Sequence, residues 1–105
     1  MENAKEELLE ILGNNPTTIK CADLSYGLGY EDNEEQEFKL SVVHTDLELN
    51  AFLESLDFKY NSGYGGQEIF GIVWLKDGTW LSRGEYDGSE WWKHNFLPEI
   101  PEELM

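Results

Sequence analysis

The chain has 105 residues, 40% of them apolar, with four Trp, five Tyr and five Phe, and 22 acidic side chains set against seven lysines and arginines give a net charge of −15. So many aromatics exclude a disordered chain. No apolar run nears the ~18 residues of a membrane helix, and a lone cysteine, Cys21, excludes an internal disulfide.

These features predict one cytoplasmic domain with a real core. Met1-Glu2-Asn3-Ala4-Lys5-Glu6-Glu7 is acidic and polar, unlike a secretory signal. The charge disfavours direct binding to nucleic acid or an anionic membrane, since both present negative charge. It favours fast, salt-sensitive association with a basic protein. Solubility alone is the plainer account, although small domains are well served by a net charge of about 2–8.

In chain order, residues 2–12 read as an amphipathic helix with Leu8, Leu9, Ile11 and Leu12 on its apolar side. Gly13-Asn14 supply its stop, and Pro16 bars continuation. Residues 17–26 read as a strand, with Ile19 and Cys21 on one face and Ala22, Leu24 and Tyr26 on the other. A loop follows, ending in the acidic run Glu31-Asp32-Asn33-Glu34-Glu35-Gln36-Glu37. Residues 38–44 read as a second strand. Thr45 and Glu48 form a capping-box pattern, so a second helix is expected over 46–56, burying Leu49, Phe52, Leu53 and Leu56. Phe58 and Tyr60 begin a short strand, and residues 61–66 form a glycine-rich loop carrying Tyr64.

Residues 68–75 and 79–86 alternate around Asp77-Gly78, and Asp87-Gly88 leads into a last strand over 89–94. Asp-Gly between alternating strands signals a two-residue type I′ hairpin. Such turns pair Leu75 with Trp80 and Val73 with Ser82. Phe70, Ile72, Trp74 and Leu81 then share one face, and Ile69, Val73, Leu75, Trp80 and Tyr86 the other. In the second hairpin Gly84 lies opposite Trp91, whose ring can cover it. Arg83 lies beside Trp92, and Glu85 faces Glu90 in a like-charge pair. The chain closes in an extended acidic tail from about residue 97.

The order αββαβββ predicts an α+β fold with a mostly antiparallel sheet of about five strands and two helices. Because the hairpin is apolar on both sides, two arrangements stand open. Each helix covers one face, or one face is partly a binding patch rimmed by acid.

No catalytic constellation emerges. His44 and His94 lack metal-ligand spacing, and Cys21 has no C-x-x-C partner. The glycine-rich loop lacks the Lys-Ser/Thr of a phosphate loop, and the 31–37 run lacks the central glycine of a calcium loop. Glu85, Asp87 and Glu90, with His94 nearby, could form a carboxylate pair, but a hairpin tip offers little cleft. The expectation is a non-enzymatic protein without cofactor or metal. Its partner contacts would be Glu31, Asp32, Glu34, Glu35, Glu37, Glu85, Asp87 and Glu90, with Tyr64 and Trp92 as aromatic anchors.

Gly65-Gly66-Gln67-Glu68-Ile69-Phe70-Gly71-Ile72-Val73-Trp74-Leu75-Lys76-Asp77-Gly78-Thr79-Trp80-Leu81-Ser82-Arg83-Gly84-Glu85-Tyr86-Asp87-Gly88-Ser89-Glu90-Trp91-Trp92, closed by Pro98-Glu99-Ile100-Pro101, resembles uncharacterised small acidic proteins of bacteriophages and prophages. The resemblance covers about a third of the chain and supplies no functional residues. It implies a phage accessory protein inside a bacterial host, a class that often blocks defence nucleases, including as anti-CRISPR proteins. Duplex DNA carries a charge per ~1.7 Å, so fifteen charges match roughly 25 Å of helix. That suits inhibition of a basic nucleic-acid-binding protein by mimicry. A toxin-neutralising immunity protein, or an accessory protein whose acidity only confers solubility, would have the same composition.

Overall fold

Asn3 explains where the first helix starts. Its side chain accepts the Glu6 N–H at 3.0 Å, a standard N-cap. In the computed structural model, which describes residues 2–27, 36–60, 68–86, 89–97 and 101–104, α1 therefore spans Ala4–Ile11 and not 2–12. Glu2–Asn3 forms a short strand, β1, paired antiparallel with β4 at Lys59–Tyr60. The first helical N–H groups, which lack intrahelical acceptors, donate to Phe58 O (from Ala4, 2.9 Å) and Leu56 O (from Lys5, 2.8 Å). At the other end Gly13 and Asn14 both take positive φ. The Gly13 N–H reaches Glu10 O and that of Asn14 reaches Leu9 O, the paired bonds of a Schellman stop.

The second helix forms as its pattern predicts. α2 spans Asp46–Ser55, with the Thr45/Glu48 capping box complete, and Leu49, Phe52, Leu53 and Leu56 are all buried.

Five antiparallel strands make the main sheet: β2 (Ile19–Tyr26), β3 (Gln36–Leu40), β5 (Ile69–Leu75), β6 (Trp80–Tyr86) and β7 (Ser89–Asn95), in the order β3-β2-β5-β6-β7. With two helices, the fold is α+β. The second strand is shorter than the expected 38–44, and Val42 and Val43 lie exposed beyond it. A short 3-10 turn at Glu102–Leu104 interrupts the expected extended tail.

Two local irregularities decide which side chains face inward. A bulge between Ile19 and Cys21 puts Ile19 in the core with Ala22 and Leu24, and turns Cys21 to the opposite face. The second is the Asp77-Gly78 turn. A type I′ turn requires positive φ at both central residues, yet among the described non-glycine residues only Asn14 has it. Instead Gly78 N–H donates to Leu75 O (3.2 Å) and Leu75 N–H to Thr79 O (2.9 Å), with Gly78 at φ +89°. This is a three-residue loop with glycine at its left-handed position. The Thr79 hydroxyl and N–H both donate to Asp77 and hold its carboxyl below the ordinary range.

The extra loop residue moves the register by one. Trp74 pairs with Trp80 and Val73 with Leu81, in place of Leu75 with Trp80. A one-residue slip exchanges faces, so Leu81 enters the core and Trp80 joins Trp74 outside.

Both helices pack on the inner face. Ala4 and Leu8 of α1, and Leu49, Phe52 and Leu53 of α2, meet Ala22, Leu24, Phe38, Leu40, Val73, Leu75, Leu81 and Trp92 in one core. Of the two arrangements left open by the sequence, the one with a helix on each face is therefore not adopted.

Candidate functional site

The β6–β7 hairpin has the expected register: Gly84 opposite Trp91, Arg83 opposite Trp92, and Glu85 opposite Glu90. A β-carbon on Gly84 would fall 2.7 Å from the Trp91 ring, so the indole covers the bare backbone. The like-charge pair is resolved by unequal burial: Glu85 is exposed, and Glu90 turns fully inward.

Inside, Glu90 meets the chain's one arginine. Arg83 Nη2 donates to Glu90 Oε1 at 2.6 Å, and the Glu68 and Ile69 N–H groups donate to the same carboxylate at 2.7 and 3.1 Å. Arg83 Nη1 reaches Glu7 Oε1 from α1 at 3.0 Å, and Nη2 reaches the Tyr60 hydroxyl at 2.8 Å. That hydroxyl in turn donates to Glu7. The guanidinium stacks over Trp92, 4.7 Å from the ring centroid. Burial alone would lower the Arg83 pKa, but the bonds from Glu90 and Tyr60 outweigh it and the net direction is up. Burial and the Glu7 bond push the Tyr60 hydroxyl far above its usual value, against the opposing pull of Arg83.

Each charge in this cluster meets an opposite one, and the cluster joins α1, β4, β5, β6 and β7. Its position bears on two expectations. Glu90 and Trp92, expected as partner contacts, are largely buried, and Trp92 also lines a shallow groove with Glu7, Glu10, Ile11 and Trp91. The contributions of Glu7 and Tyr60 were not foreseen. The single arginine within an apolar hairpin was the one available signal that a buried counter-charge existed.

The remaining expected contacts divide. Glu37 is exposed on β3 and Glu85 at the end of β6. Glu31, Asp32, Glu34, Glu35, Tyr64 and Asp87 lie outside the described residues. His94 Nε2 lies 2.8 Å from Thr79 Oγ1, and His44 Nδ1 is 2.7 Å from Ser41 O. Among the described residues no group of three His, Cys, Asp or Glu side chains could hold a metal. No helix among them is long and apolar enough to cross a membrane.

What the fold does create is two surfaces of different chemistry. Over residues 2–12 and 45–60, the helices and their flanks, eight carboxylates face two lysines, a net −6. Seven of those eight are exposed, and Glu7 is the exception. The five strands of the main sheet carry four carboxylates and four cations, a net of zero. The other nine excess charges belong to connections and the tail.

The outer sheet face forms three cross-strand rows. Cys21, Trp74, Trp80 and Asn95 make the first, and Lys39, Asp23, Ile72, Ser82 and Lys93 the second. Glu37, Ser25 and Phe70 begin the third, and Gly84 with Trp91 occupies its far side. Phe70, Trp74 and Trp91 are 41%, 40% and 42% exposed, enough to mark an apolar patch with solvent over it. At one edge of the sheet, an open groove of about 790 Å³ runs between β3 and α2, lined by Phe38, Leu40, Glu48, Ala51 and Phe52 among others.

In comparisons with known proteins, no family, no curated protein and no solved structure matched the chain.

Proposed function

We propose that this chain is a non-catalytic binding protein that engages, and thereby inhibits, a basic nucleic-acid-binding protein through its acidic helical side. The observation that carries the reading is the partition of charge. If acidity served solubility alone, it would have no reason to exceed its counter-charge on the helices while matching it on the strands. Here the strands balance to zero, and the helical side holds −6. Lys5, one of its two cations, is already engaged by Glu54.

Scale limits how literal the mimicry can be. Six excess charges correspond to only about 10 Å of duplex. A longer imitation requires the acidic connections, the 31–37 run first among them. The partner is therefore a protein with a basic nucleic-acid groove, such as a defence nuclease of a bacterial host, and the chain competes for that groove.

The test is capture from a bacterial lysate by immobilised protein at low and high salt, with duplex DNA as competitor. Basic nucleic-acid-binding proteins released by both salt and DNA are expected. Glu6→Lys combined with Glu10→Lys and Glu48→Lys should lose that capture, and Glu34→Lys with Glu35→Lys should weaken it and flatten its salt dependence. Capture that ignores salt, DNA and the helical charge reversal overturns the proposal.

A further inference from the structure

The outer sheet face differs from the acidic helices in chemistry, and so does the partner it fits. We propose that this face docks onto the same face of a second copy, forming a symmetric sandwich with the acidic helices on its two outer sides.

Electrostatics selects the occupant. Two copies at −15 each repel one another, so they can meet only where acid does not face acid. The outward charged groups of the strands on this face are Asp23 and Glu37 against Lys39 and Lys93, with Lys20 at the bulge beside Cys21 and Trp74. A basic partner gains nothing from a surface without excess acid and is drawn to the helices instead. Lys93 lies on β7, and Asp23, Glu37 and Lys39 lie on β2 and β3, toward the other end of the sheet. A two-fold axis along the strands lays β7 of one copy over the β2–β3 side of the other. That sets Ile72 near the axis and lays each Lys93 over the other copy's Lys39, with Glu37 and Asp23 beside it.

The area is sufficient. Five strands at ~4.8 Å spacing and seven residues at ~3.3 Å rise give a face of about 24 by 23 Å. Two such faces bury roughly 1,100 Å², just above the ~1,000 Å² expected of a biological interface. The centre is apolar and aromatic, through Phe70, Ile72, Trp74, Trp80 and Trp91, and the charges lie toward the sides, the usual anatomy of such contacts.

Salt separates this proposal from the preceding one. Binding of a basic partner weakens as salt rises, whereas association of two like-charged copies strengthens as repulsion is screened. Sedimentation equilibrium of the full chain, over rising concentration at low and high salt, should show the 12.1 kDa monomer moving to twice that mass, more readily at high salt. Ile72→Arg should abolish the dimer. Trp74→Ala, on the same face, should weaken it by about tenfold or more, since aromatic anchors carry much of an interface's energy. Glu10→Lys on the helical side, an exposed position, should leave it intact.

A monomer under all conditions overturns the proposal, as does a folded Trp74→Ala variant that dimerises like the parent. A monomeric chain whose capture of a basic protein is lost with Ile72→Arg also overturns it, by assigning the face to another partner.

Discussion

Replacing Glu90 by Gln tests whether Arg83 and Glu90 form a coupled buried pair. The side chain is fully buried and accepts three hydrogen bonds, from Arg83, Glu68 and Ile69. Glutamine keeps the shape but removes the charge and turns one acceptor into a donor facing donors. Arg83 keeps only Glu7 as its counter-ion. Removing one partner of a buried pair costs about 3–5 kcal/mol. The surviving Glu7 contact places this case near ~3 kcal/mol, and at about 4–8 °C per kcal/mol for a domain of this size Tm should fall by roughly 12–24 °C. The assay is urea unfolding followed by tryptophan fluorescence, with Arg83→Met and the double variant Arg83→Met/Glu90→Gln alongside. The double variant should cost less than the sum of its singles by about 1–3 kcal/mol, because the Arg83–Glu90 contact is lost only once. A Glu90→Gln protein within ~1 kcal/mol of the parent, or strict additivity, would refute the coupling.

Two other residues give independent checks. Tyr60 is held protonated in the fold, its pKa raised by burial first and by Glu7 second. Its contribution is therefore fully present below the ordinary tyrosine pKa of about 10 and is lost as pH rises beyond that value. Thermal unfolding across alkaline pH should show that loss, and Tyr60→Phe should remove this part of it. Gly71 has φ +125°, and a β-carbon there would fall 2.1 Å from Asp23 O, a backbone atom of the neighbouring strand. Gly71→Ala should destabilise by at least ~2 kcal/mol in the same urea assay. A smaller loss would mean that β2 and β5 can separate at that point.

Legibility in the sequence followed the range of the interactions involved. The second helix was readable because its start is fixed by two side chains three residues apart, Thr45 and Glu48. The β6–β7 register was readable because a bare glycine and a large indole have one sensible alignment. The first hairpin was misread because Asp-Gly serves two turn types. The dipeptide does not reveal whether Lys76 belongs to the loop, and that one residue decides the face of Trp80. The bulge after Ile19 left no composition signal either. At the candidate site, the Glu85–Glu90 clash was visible, but its resolution needed Glu7 and Tyr60, dozens of positions away and set in place only by tertiary packing. Acidic side chains expected to act together were thus divided by burial, which no local pattern encodes.

The small turn at Asp77-Gly78 has consequences at the scale of the whole surface. With a two-residue turn, Trp80 would have been interior and Leu81 outward, leaving Trp74 without an indole beside it. With the loop that forms, Thr79 tethered to Asp77 and Gly78 in its left-handed conformation, Trp74 and Trp80 lie side by side outside. Leu81 then fills the core against Val73. Leaving an indole pair at the surface forgoes burial, worth roughly 25 cal/mol per Å² of apolar area. A second copy on that face would restore the burial, and the sheet's zero net charge lets it approach. The charge displaced onto the helices is then carried outward on both sides, so the features that permit self-association also concentrate the acid where a basic partner would meet it.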